Sequence, residues 1–325
     1  MTSDLSITDI RAALDRIRPL VRHTPLLSSP FLDEIAGRPL FVKPECLQHT
    51  GSFKFRGACS AMTQLAARGV EGGVIAYSSG NHAQAVALAA QRAGREAVII
   101  MPSDAPQIKI DNTRAYGAEV VLYDRATQRR EDIAAQIQAT RTLTLIPPFD
   151  DYDVMAGQGT TGLEIAADLK AQGIEAADIL VCTGGGGLCS GIATAMKAEM
   201  PQARVFAVEP EGYDDVARSL ASGTRETNAQ TSGGLWDAVI TPSPGTLTFP
   251  IMQRLVDGAL VVSEPETWSA MTHAFDRLKL VAEPGGAIAL AAALSHKITD
   301  RNTPMVALIS GGNVDRAVFE KVMTY

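Results

Sequence analysis

The feature that most constrains the fold is a regular alternation of short β-branched runs with stretches of helical character. From about residue 72, strands are predicted at 73–77, 97–101, 119–123 and 143–146, with helices between them at 83–93, 108–116 and 131–139. The predicted strands are apolar along their length, which is typical of strands covered on both faces. Strands that alternate with helices build a parallel sheet, so the sequence predicts an α/β fold.

The same alternation resumes after Pro147-Pro148, with helices predicted at 163–172, 188–200 and 216–221 and strands at 179–182, 205–208 and 305–309. We therefore predict two open, twisted, mostly parallel sheets flanked by helices. The predicted division is a small α/β domain at residues 69–146 and a large domain formed by residues 1–68 and 147–325.

Composition and charge restrict the classes of partner. The chain has 325 residues, 46% of them hydrophobic, which is enough for two cores. The net charge of −7 and the lack of a block of Lys and Arg argue against nucleic acid as a partner. The first residues show no signal peptide, and the longest apolar stretch, 287–294, is too short to cross a bilayer. Four cysteines without CxxC spacing are expected to be reduced, so we expect a cytoplasmic protein with no membrane partner.

A run of four glycines follows the predicted strand at 179–182 and precedes Leu188, where a helix is predicted to begin. The run consists of Gly184, Gly185, Gly186 and Gly187. Backbone N–H groups without a neighbouring Cβ can approach an anion closely, and the helix start adds the positive end of its dipole. The run predicts a phosphate-binding turn, with a turn that only serves close packing as the alternative. The dinucleotide-binding fingerprint fits poorly.

A second turn follows the predicted strand at 73–77, and it consists of Ser78, Ser79, Gly80, Asn81 and His82. Hydroxyls, an amide and exposed N–H groups at a helix start suit a carboxylate. A simple helix N-cap is the alternative.

Two further segments carry side chains that could meet a ligand. Ser310 begins the turn SGGN after the strand predicted at 305–309 and could offer a hydroxyl, although a plain glycine-rich turn is the alternative. Lys54 lies in the segment TGSFKFRGA at 50–58. A lysine removed from water loses its proton more easily and becomes an amine for Schiff-base chemistry, whereas an isolated lysine is ordinarily a solvated surface residue.

The order of these segments is more specific than any one of them. The motifs SFKFRGA, SSGNH, AGQGT, the four glycines and SGGN follow one another along the chain. This order resembles the fold-type II pyridoxal-phosphate enzymes, whose fold is similar to the tryptophan synthase β subunit, and within them the threonine/serine dehydratase and serine racemase branch. The resemblance extends from about Arg22 to Asn313. It implies that the large domain binds pyridoxal 5'-phosphate, that the substrate is an amino acid, and that the protein is a homodimer.

The resemblance also implies roles for the cofactor-binding residues. Lys54 would hold the cofactor covalently and act as a base at the substrate α-carbon, and Phe53 would lie against the pyridine ring. Asn81 would bond the phenolic oxygen, and Ser310 would face the ring nitrogen. The phosphate would be wrapped by Gly184, Gly185, Gly186, Gly187 and Leu188.

Substrate roles follow from the same resemblance. Ser78, Ser79, Asn81 and His82 would seat the substrate carboxylate, and Arg130 matches a substrate-proximal arginine of the family. In racemases the residue that matches Ser79 also serves as the base on the opposite face.

The implied reaction is β-elimination from a 3-hydroxy amino acid such as L-threonine or L-serine, which yields a 2-oxo acid and ammonia. Amino-acid racemisation needs the same Lys54 and Ser79 and stays open. A non-catalytic α/β protein that holds a phosphorylated ligand is the alternative from another class, and it would have no need of Lys54. Relatives carry Asp-Gly beside the substrate pocket where this chain has residues 235–238, LWDA, so a substrate bulkier than serine stays open as well. Because the chain ends soon after Asn313, we expect a short catabolic type without a regulatory domain.

A short acidic segment matches the place where the family holds a divalent cation. Hard cations prefer oxygen ligands, which Glu209, Asp215 and a backbone carbonyl near Tyr213 would supply. The segment predicts Mg²⁺ or Ca²⁺, and a solvated acidic turn is the alternative.

Overall fold

The chain folds into strands and helices that alternate along most of its length. The computed structural model describes residues 4–105, 107–230, 235–299 and 303–324. The strands are β1 (Leu27–Ser28), β2 (Leu40–Pro44), β3 (Gly73–Tyr77), β4 (Ala97–Pro102), β5 (Glu119–Tyr123), β6 (Leu143–Leu145), β7 (Asp178–Cys182), β8 (Arg204–Pro210), β9 (Gly258–Val262) and β10 (Met305–Ile309).

The helices of the described residues fall between and beside these strands. They are α1 (Ile7–Ile17), α2 (Pro30–Ala36), α3 (Lys54–Ala67), α4 (Asn81–Arg92), α5 (Gln107–Ala115), α6 (Arg130–Gln138), α7 (Tyr152–Ala171), α8 (Gly187–Glu199), α9 (Asp215–Ser222), α10 (Thr248–Leu255), α11 (Glu264–Leu278), α12 (Pro284–Leu294) and α13 (Arg316–Met323). Within the described residues, none of them is both long and apolar enough to span a membrane.

The strands form two sheets, which confirms the predicted fold class. The smaller sheet has the order β5-β4-β3-β6, and the larger has the order β1-β2-β10-β7-β8-β9. Between the described strands, every pair is parallel except β1 with β2. The strands of the smaller sheet all lie within 69–146, and those of the larger sheet lie outside that range. The division into two domains stays a prediction.

The central strands are apolar because helices cover both of their faces. Every residue of β4, β7 and β10 is buried. Several helices begin at caps that satisfy their first N–H groups. Ser6 and Asp9 form a capping box at α1, and Ser263 and Glu266 form another at α11.

Helix α7 is much longer than its predicted extent of 163–172. It begins at Tyr152 and includes the AGQGT segment. A Cβ on Gly157 would lie 2.5 Å from the carbonyl oxygen of Arg56, and a Cβ on Gly191 would lie 2.6 Å from the backbone nitrogen of Gly159. The predicted start was wrong because these glycines serve the close approach of α3, α7 and α8 and do not interrupt the helix.

A buried ion network ties the start of α3 to β2 and α7. The guanidinium of Arg56 donates to Glu45 Oε2 and to Glu164 Oε1, each at 2.7 Å. Lys43 Nζ donates to Glu164 Oε2 at 2.7 Å. None of the four side chains is more than 6% exposed. Since buried charges are stable only when they are paired, this network fixes the helix turn that carries Lys54.

We expect Arg56→Met to lower the free energy of unfolding by about 3–5 kcal/mol, because it leaves two carboxylates buried without their main counter-charge. Urea denaturation followed by circular dichroism measures the loss. Arg68→Met is the matched control just beyond the other end of the helix, since Arg68 is 54% exposed in its ion pair with Asp153. Its expected cost is about 0–1 kcal/mol, and equal losses for the two variants would contradict the role given to Arg56.

Candidate active site

The turns singled out in the sequence converge where the carboxyl ends of strands from both sheets meet. Asn81, at the start of α4, accepts a hydrogen bond at 2.7 Å from Asn313, which follows β10. The backbone N–H of Phe53 donates to the carbonyl of Ser310 at 3.1 Å. Such a meeting of strand ends and helix starts is where open parallel sheets bind ligands.

Lys54 faces a cavity that the four glycines also line. Its Nζ donates to the carbonyl of Pro148 at 2.7 Å and lies 5.1 Å from the centre of the Phe53 ring. The cavity measures about 50 Å³, and Phe53, Phe149 and Leu188 line it as well. Loss of water around the amine lowers the pKa of Lys54 to about 8, against the opposing effect of the Glu283 carboxylate. A neutral, nucleophilic amine is therefore accessible near neutral pH.

A larger cavity of about 250 Å³ adjoins the first, since Ala238 lines both. Ser79, Lys109, Asp237 and Glu283 are among the residues that line the larger cavity.

The four-glycine turn presents unused N–H groups at the start of α8. Among the described residues, the backbone N–H groups from Gly184 to Leu188 donate to no acceptor. The carbonyl of Gly185 is held by Thr248 Oγ1 at 2.6 Å and by the backbone N–H of Gly245 at 3.1 Å. Gly186 has a φ of 93°, which favours glycine. The donors and the helix dipole fit an anion such as a phosphate.

Close packing also requires glycine in this turn. A Cβ on Gly184 would lie 2.9 Å from the carbonyl oxygen of Val239, and one on Gly187 would lie 3.0 Å from the Phe149 backbone. The packing alternative raised by the sequence therefore applies, and it is compatible with anion binding by the same residues.

Ser310 is fixed at the end of β10 by both of its backbone groups. It is 2% exposed, its N–H donates to the carbonyl of Gly286 at 3.1 Å, and its carbonyl accepts from Phe53. Its hydroxyl contacts Cys182 at the end of the neighbouring β7. The side chain therefore lies one strand away from the four-glycine turn.

Two residues that bind Asn81 were missed as site residues in the sequence. Asn81 Nδ2 donates to Glu283 Oε1, and Asn81 Oδ1 accepts from Asn313 Nδ2. Glu283 immediately precedes Pro284, the first residue of α12, so its position is typical of an N-cap. Its side chain makes no capping bond, and burial raises its pKa. A carboxylate at a cap position of a wholly apolar helix was the available signal.

The predicted carboxylate-binding turn contains an internal hydrogen bond but lacks a charged histidine. Ser78 Oγ accepts from the N–H of Gly80 at 3.1 Å, and Ser79 lines the larger cavity. His82 is buried, and its Nε2 lies 2.9 Å from the carbonyl oxygen of Ile146. Burial and the nearby Lys54 lower the pKa of His82 to about 3. The neutral ring ties α4 to the end of β6, and it brings no positive charge to a carboxylate.

Lys109 is the cation beside this turn, and no sequence motif marks it. It is 9% exposed, and its Nζ lies 3.6 Å from Asp237 Oδ2 and 3.6 Å from the position of a Cβ on Gly80. Arg130 is farther out, where its exposed guanidinium lies 4.6 Å from the centre of the Tyr77 ring and pairs with Glu131. The substrate role of Arg130 stays a prediction.

The segment at 235–238 faces two ways. Leu235, Asp237 and Ala238 line the larger cavity. Trp236 packs in the core, with its ring centre 6.4 Å from that of Tyr213 and its Nε1 donating to Thr267. The bulky residue therefore does not narrow the cavity.

Glu209 and Asp215 are buried, so these two acids are not part of a solvated turn, although Glu211 between them is exposed. Glu209 accepts from the N–H groups of Val216 at 2.9 Å and Ala217 at 2.7 Å, and Asp215 Oδ1 accepts from Asn228. Burial raises the pKa of Asp215 to about 6, and burial together with Asp215 raises that of Glu209. No group of three or more His, Cys, Asp or Glu suited to a metal occurs in the described ranges, and Tyr213 contributes no carboxylate.

Comparison with known proteins gives one family. A family model described as pyridoxal-phosphate dependent enzyme matches residues 17–311. The chain is 42% identical to a serine racemase of Arabidopsis thaliana, covering 95% of this chain and 93% of that one. It is 41% identical to an L-threo-3-hydroxyaspartate ammonia-lyase of Pseudomonas sp, covering 95% and 96%. The solved structure of maize serine racemase superposes with a TM-score of 0.90 at 37% identity, covering 99% and 98%.

We expect cofactor-free protein to take up pyridoxal phosphate at a rate that rises through about pH 8 and then levels off. The reason is that only the neutral amine of Lys54 reacts, and its pKa is lowered to about 8. Stopped-flow absorbance of the bound cofactor, from pH 6 to 10, measures the rate. Lys54→Ala is the control and should form no borohydride-reducible adduct. A rate still rising at pH 10, as for a solvated lysine, would show that Lys54 is not desolvated.

Proposed function

The chain belongs to the pyridoxal-phosphate dependent enzyme family, and on that premise we propose that it removes water and ammonia from a small 3-hydroxy amino acid such as L-threonine or L-serine. The observation that carries the proposal is the desolvated amine of Lys54 in the same cavity as the four-glycine turn. A protein that only held a phosphorylated ligand would have no use for such an amine.

The residues present fit the cofactor. The free N–H groups from Gly184 to Leu188 suit its phosphate, and Phe53 lines the same cavity. Asn81 is assigned to its phenolic oxygen and Ser310 to its ring nitrogen. When bound, pyridoxal phosphate supplies an electron sink for a negative charge developing at the substrate α-carbon.

Lys54 is assigned the proton transfer at the α-carbon. An amine with a pKa of about 8 is partly neutral at pH 7 and can take up a proton, and its conjugate acid can return it. Loss of the β-hydroxyl as water follows proton removal, and hydrolysis of the released product gives the 2-oxo acid and ammonia. Ser310 offers a neutral hydroxyl to the ring nitrogen, whereas a carboxylate there would favour a protonated ring. An unprotonated ring is the weaker electron sink, which favours elimination over long-lived carbanion chemistry.

The substrate carboxylate is assigned to the turn at the start of α4. Ser78, Ser79 and Asn81 offer polar groups there, and the helix start adds partial positive charge. Because His82 is neutral, the full positive charge comes from Lys109 in this proposal. The larger cavity leaves space for a side chain bulkier than that of serine.

Amino-acid racemisation is the second candidate function. The observation that favours it is the position of Ser79 on the larger cavity, where a second acid–base group could reach the substrate. The similarity to a protein named serine racemase points the same way. Elimination needs proton removal on one face only, so a dehydratase can carry the same serine as a carboxylate ligand.

The cation site is a proposal of its own. We propose that Glu209, Asp215 and a backbone carbonyl near Tyr213 bind Mg²⁺ or Ca²⁺. Both carboxylates are 1% exposed or less, and Asp215 Oδ2 is buried without a hydrogen-bond partner. A divalent cation would supply that partner and offset the repulsion between the two acids.

Organisation and location are separate proposals. We propose a homodimer, because Phe31 and Phe275 expose apolar rings on α2 and α11. A cytoplasmic location is supported by four cysteines that are all free thiols. The small domain at 69–146 is supported by the four-stranded sheet that it contains.

Ser79→Ala separates the two candidate functions. We expect it to weaken substrate binding while elimination from the L-isomer stays measurable, and to reduce any action on the D-isomer by at least about 100-fold. The reason is that only the second face depends on the serine hydroxyl for proton transfer. The measurements are 2-oxo acid release and the deuterium content and chirality of recovered substrate. Ser103→Ala, at an exposed serine, is the control. If the wild type returns mostly inverted, deuterated amino acid and little oxo acid, the protein is a racemase.

Asp215→Asn tests the cation site. In the wild type, Mg²⁺ or Ca²⁺ at 100 times its dissociation constant should stabilise the fold by about 2.7 kcal/mol, seen as a higher melting temperature that a chelator reverses. The variant should lose this response yet be more stable than the metal-free wild type, because the repulsion between two buried acids is gone. Glu211→Gln, at an exposed acid of the same segment, should respond like the wild type. Wild-type indifference to chelator would leave no cation role.

A further inference from the structure

We propose that Glu283 and Asn313 are positioning residues that fix the side-chain amide of Asn81 with its N–H side turned to the cofactor. This inference rests on the proposed function, since it concerns how Asn81 meets the phenolic oxygen. It assigns a role to Glu283 and Asn313, which contact Asn81 from the side of the larger sheet. The orientation of the Asn81 amide is then set by its protein neighbours.

The carbonyl of Thr50 determines the orientation of the first amide. Asn313 Nδ2 lies 2.8 Å from the carbonyl oxygen of Thr50. A carbonyl can only accept, so the group facing it must be the NH₂ of Asn313. The same nitrogen lies 2.7 Å from the side chain of Asn81, which must therefore turn its oxygen, Oδ1, toward Asn313.

With Oδ1 of Asn81 facing Asn313, its NH₂ faces the other way, toward Glu283. Nδ2 donates to Oε1 of this carboxylate, which is 4% exposed. Glu283 is itself held, because its backbone N–H donates to the carbonyl of Gly311 at 3.0 Å. Lys109, Lys54 and Asp237 are the other charged groups that act on the carboxylate.

Glycines leave room for this chain of hydrogen bonds from Asn313 through Asn81 to Glu283. A Cβ on Gly311 would lie 2.0 Å from Glu283 Oε1 and 3.1 Å from Asn81 Nδ2. A Cβ on Gly51 would lie 2.5 Å from Asn313 Oδ1. The SGGN turn therefore brings Asn313 to Asn81 and lets the carboxylate pass beside it, so the three side chains cannot easily rearrange.

These hydrogen bonds leave one N–H of the Asn81 side-chain amide free for a ligand. The second N–H of Nδ2 has no acceptor in the described residues. In the fixed orientation it would be available as a donor to the phenolic oxygen, and the hydrogen bond from the same nitrogen to Glu283 would polarise it further. A flipped amide would turn Oδ1 toward that oxygen, and two acceptors would repel each other.

Asn313→Asp is the sharpest test because it keeps the shape and removes the donor. An aspartate cannot donate to Oδ1, so we expect the Asn81 amide to flip and bond the new carboxylate through Nδ2. Its Oδ1 then faces Glu283, and a crystal structure of the variant should show that pair more than about 3.5 Å apart. Affinity for pyridoxal phosphate, titrated by absorbance, should fall at least about tenfold, with a shifted absorption maximum.

Three further variants separate orientation from mere packing. Asn313→Ala removes the donor without imposing a flip, so it should lose less affinity than Asn313→Asp although it is the larger change in shape. Glu283→Gln can still accept from Asn81 but carries no charge, so it should lose less affinity than Asn313→Asp. Asn112→Asp, at an exposed asparagine of α5, makes the same change of charge and should bind like the wild type.

The outcomes distinguish this inference from the proposed function. A folded Asn313→Asp protein that keeps the Asn81–Glu283 bond and wild-type affinity would overturn the inference, as would equal losses for the Ala and Asp variants. A wild type that binds no pyridoxal phosphate would remove the proposed function. The crystal structure of Asn313→Asp would then still decide whether Asn313 sets the amide.

Discussion

The arrangement of the site depends on the buried guanidinium of Arg56. It sits in the first turn of α3, two residues after Lys54, and its bonds to Glu45 and Glu164 reach the end of β2 and α7. Buried ions cannot exchange partners for water, so the helix start has one allowed position relative to both elements. In that position the Lys54 amine donates to the Pro148 carbonyl and faces the cavity lined by the four-glycine turn. The lysine to which we assign the proton transfer is thus placed by charges that have no part in the proposed chemistry.

The sequence predicted the parts of the fold that follow from local pattern. The strands at 73–77, 119–123 and 305–309 have the observed bounds, because continuous apolar runs between turns leave little choice. Helix α7 was predicted too short, since glycines that serve close packing look like breakers when their neighbours in space are unknown. The short strand β2 and the strand β9 were missed, because each owes its place to pairing with distant strands.

The residues of the site also divide into those that belong to sequence motifs and those that do not. Lys54, Asn81, the four glycines and Ser310 belong to motifs with a recognisable order. Lys54 and the glycines line the smaller cavity, Asn81 bonds Asn313 on the larger one, and Ser310 contacts Cys182 on the smaller one. Lys109 and Glu283 belong to no such motif. Lys109 lies on a short polar helix and Glu283 at a helix start, and in both places the residue type is ordinary. Their partners Asp237 and Asn81 lie in distant parts of the chain. The only local signal was therefore the carboxylate of Glu283 at the cap position of an apolar helix, and Lys109 had none.

The proposed function needs a neutral base for the α-carbon and a positive charge for the substrate carboxylate, and one amine could not be both. A base at the α-carbon must be neutral to take up a proton, and desolvation lowers the pKa of Lys54, to which we assign that step, to about 8. A substrate carboxylate is best held by a lasting positive charge, which the same desolvation would remove. His82 cannot supply it, since its pKa is lowered to about 3 and its Nε2 is bound to Ile146. Lys109 Nζ lies 3.6 Å from Asp237 Oδ2, and the residue lines the larger cavity together with Ser79. The proposed function therefore assigns proton transfer to Lys54 and carboxylate binding to Lys109, so that neither amine has to meet both requirements.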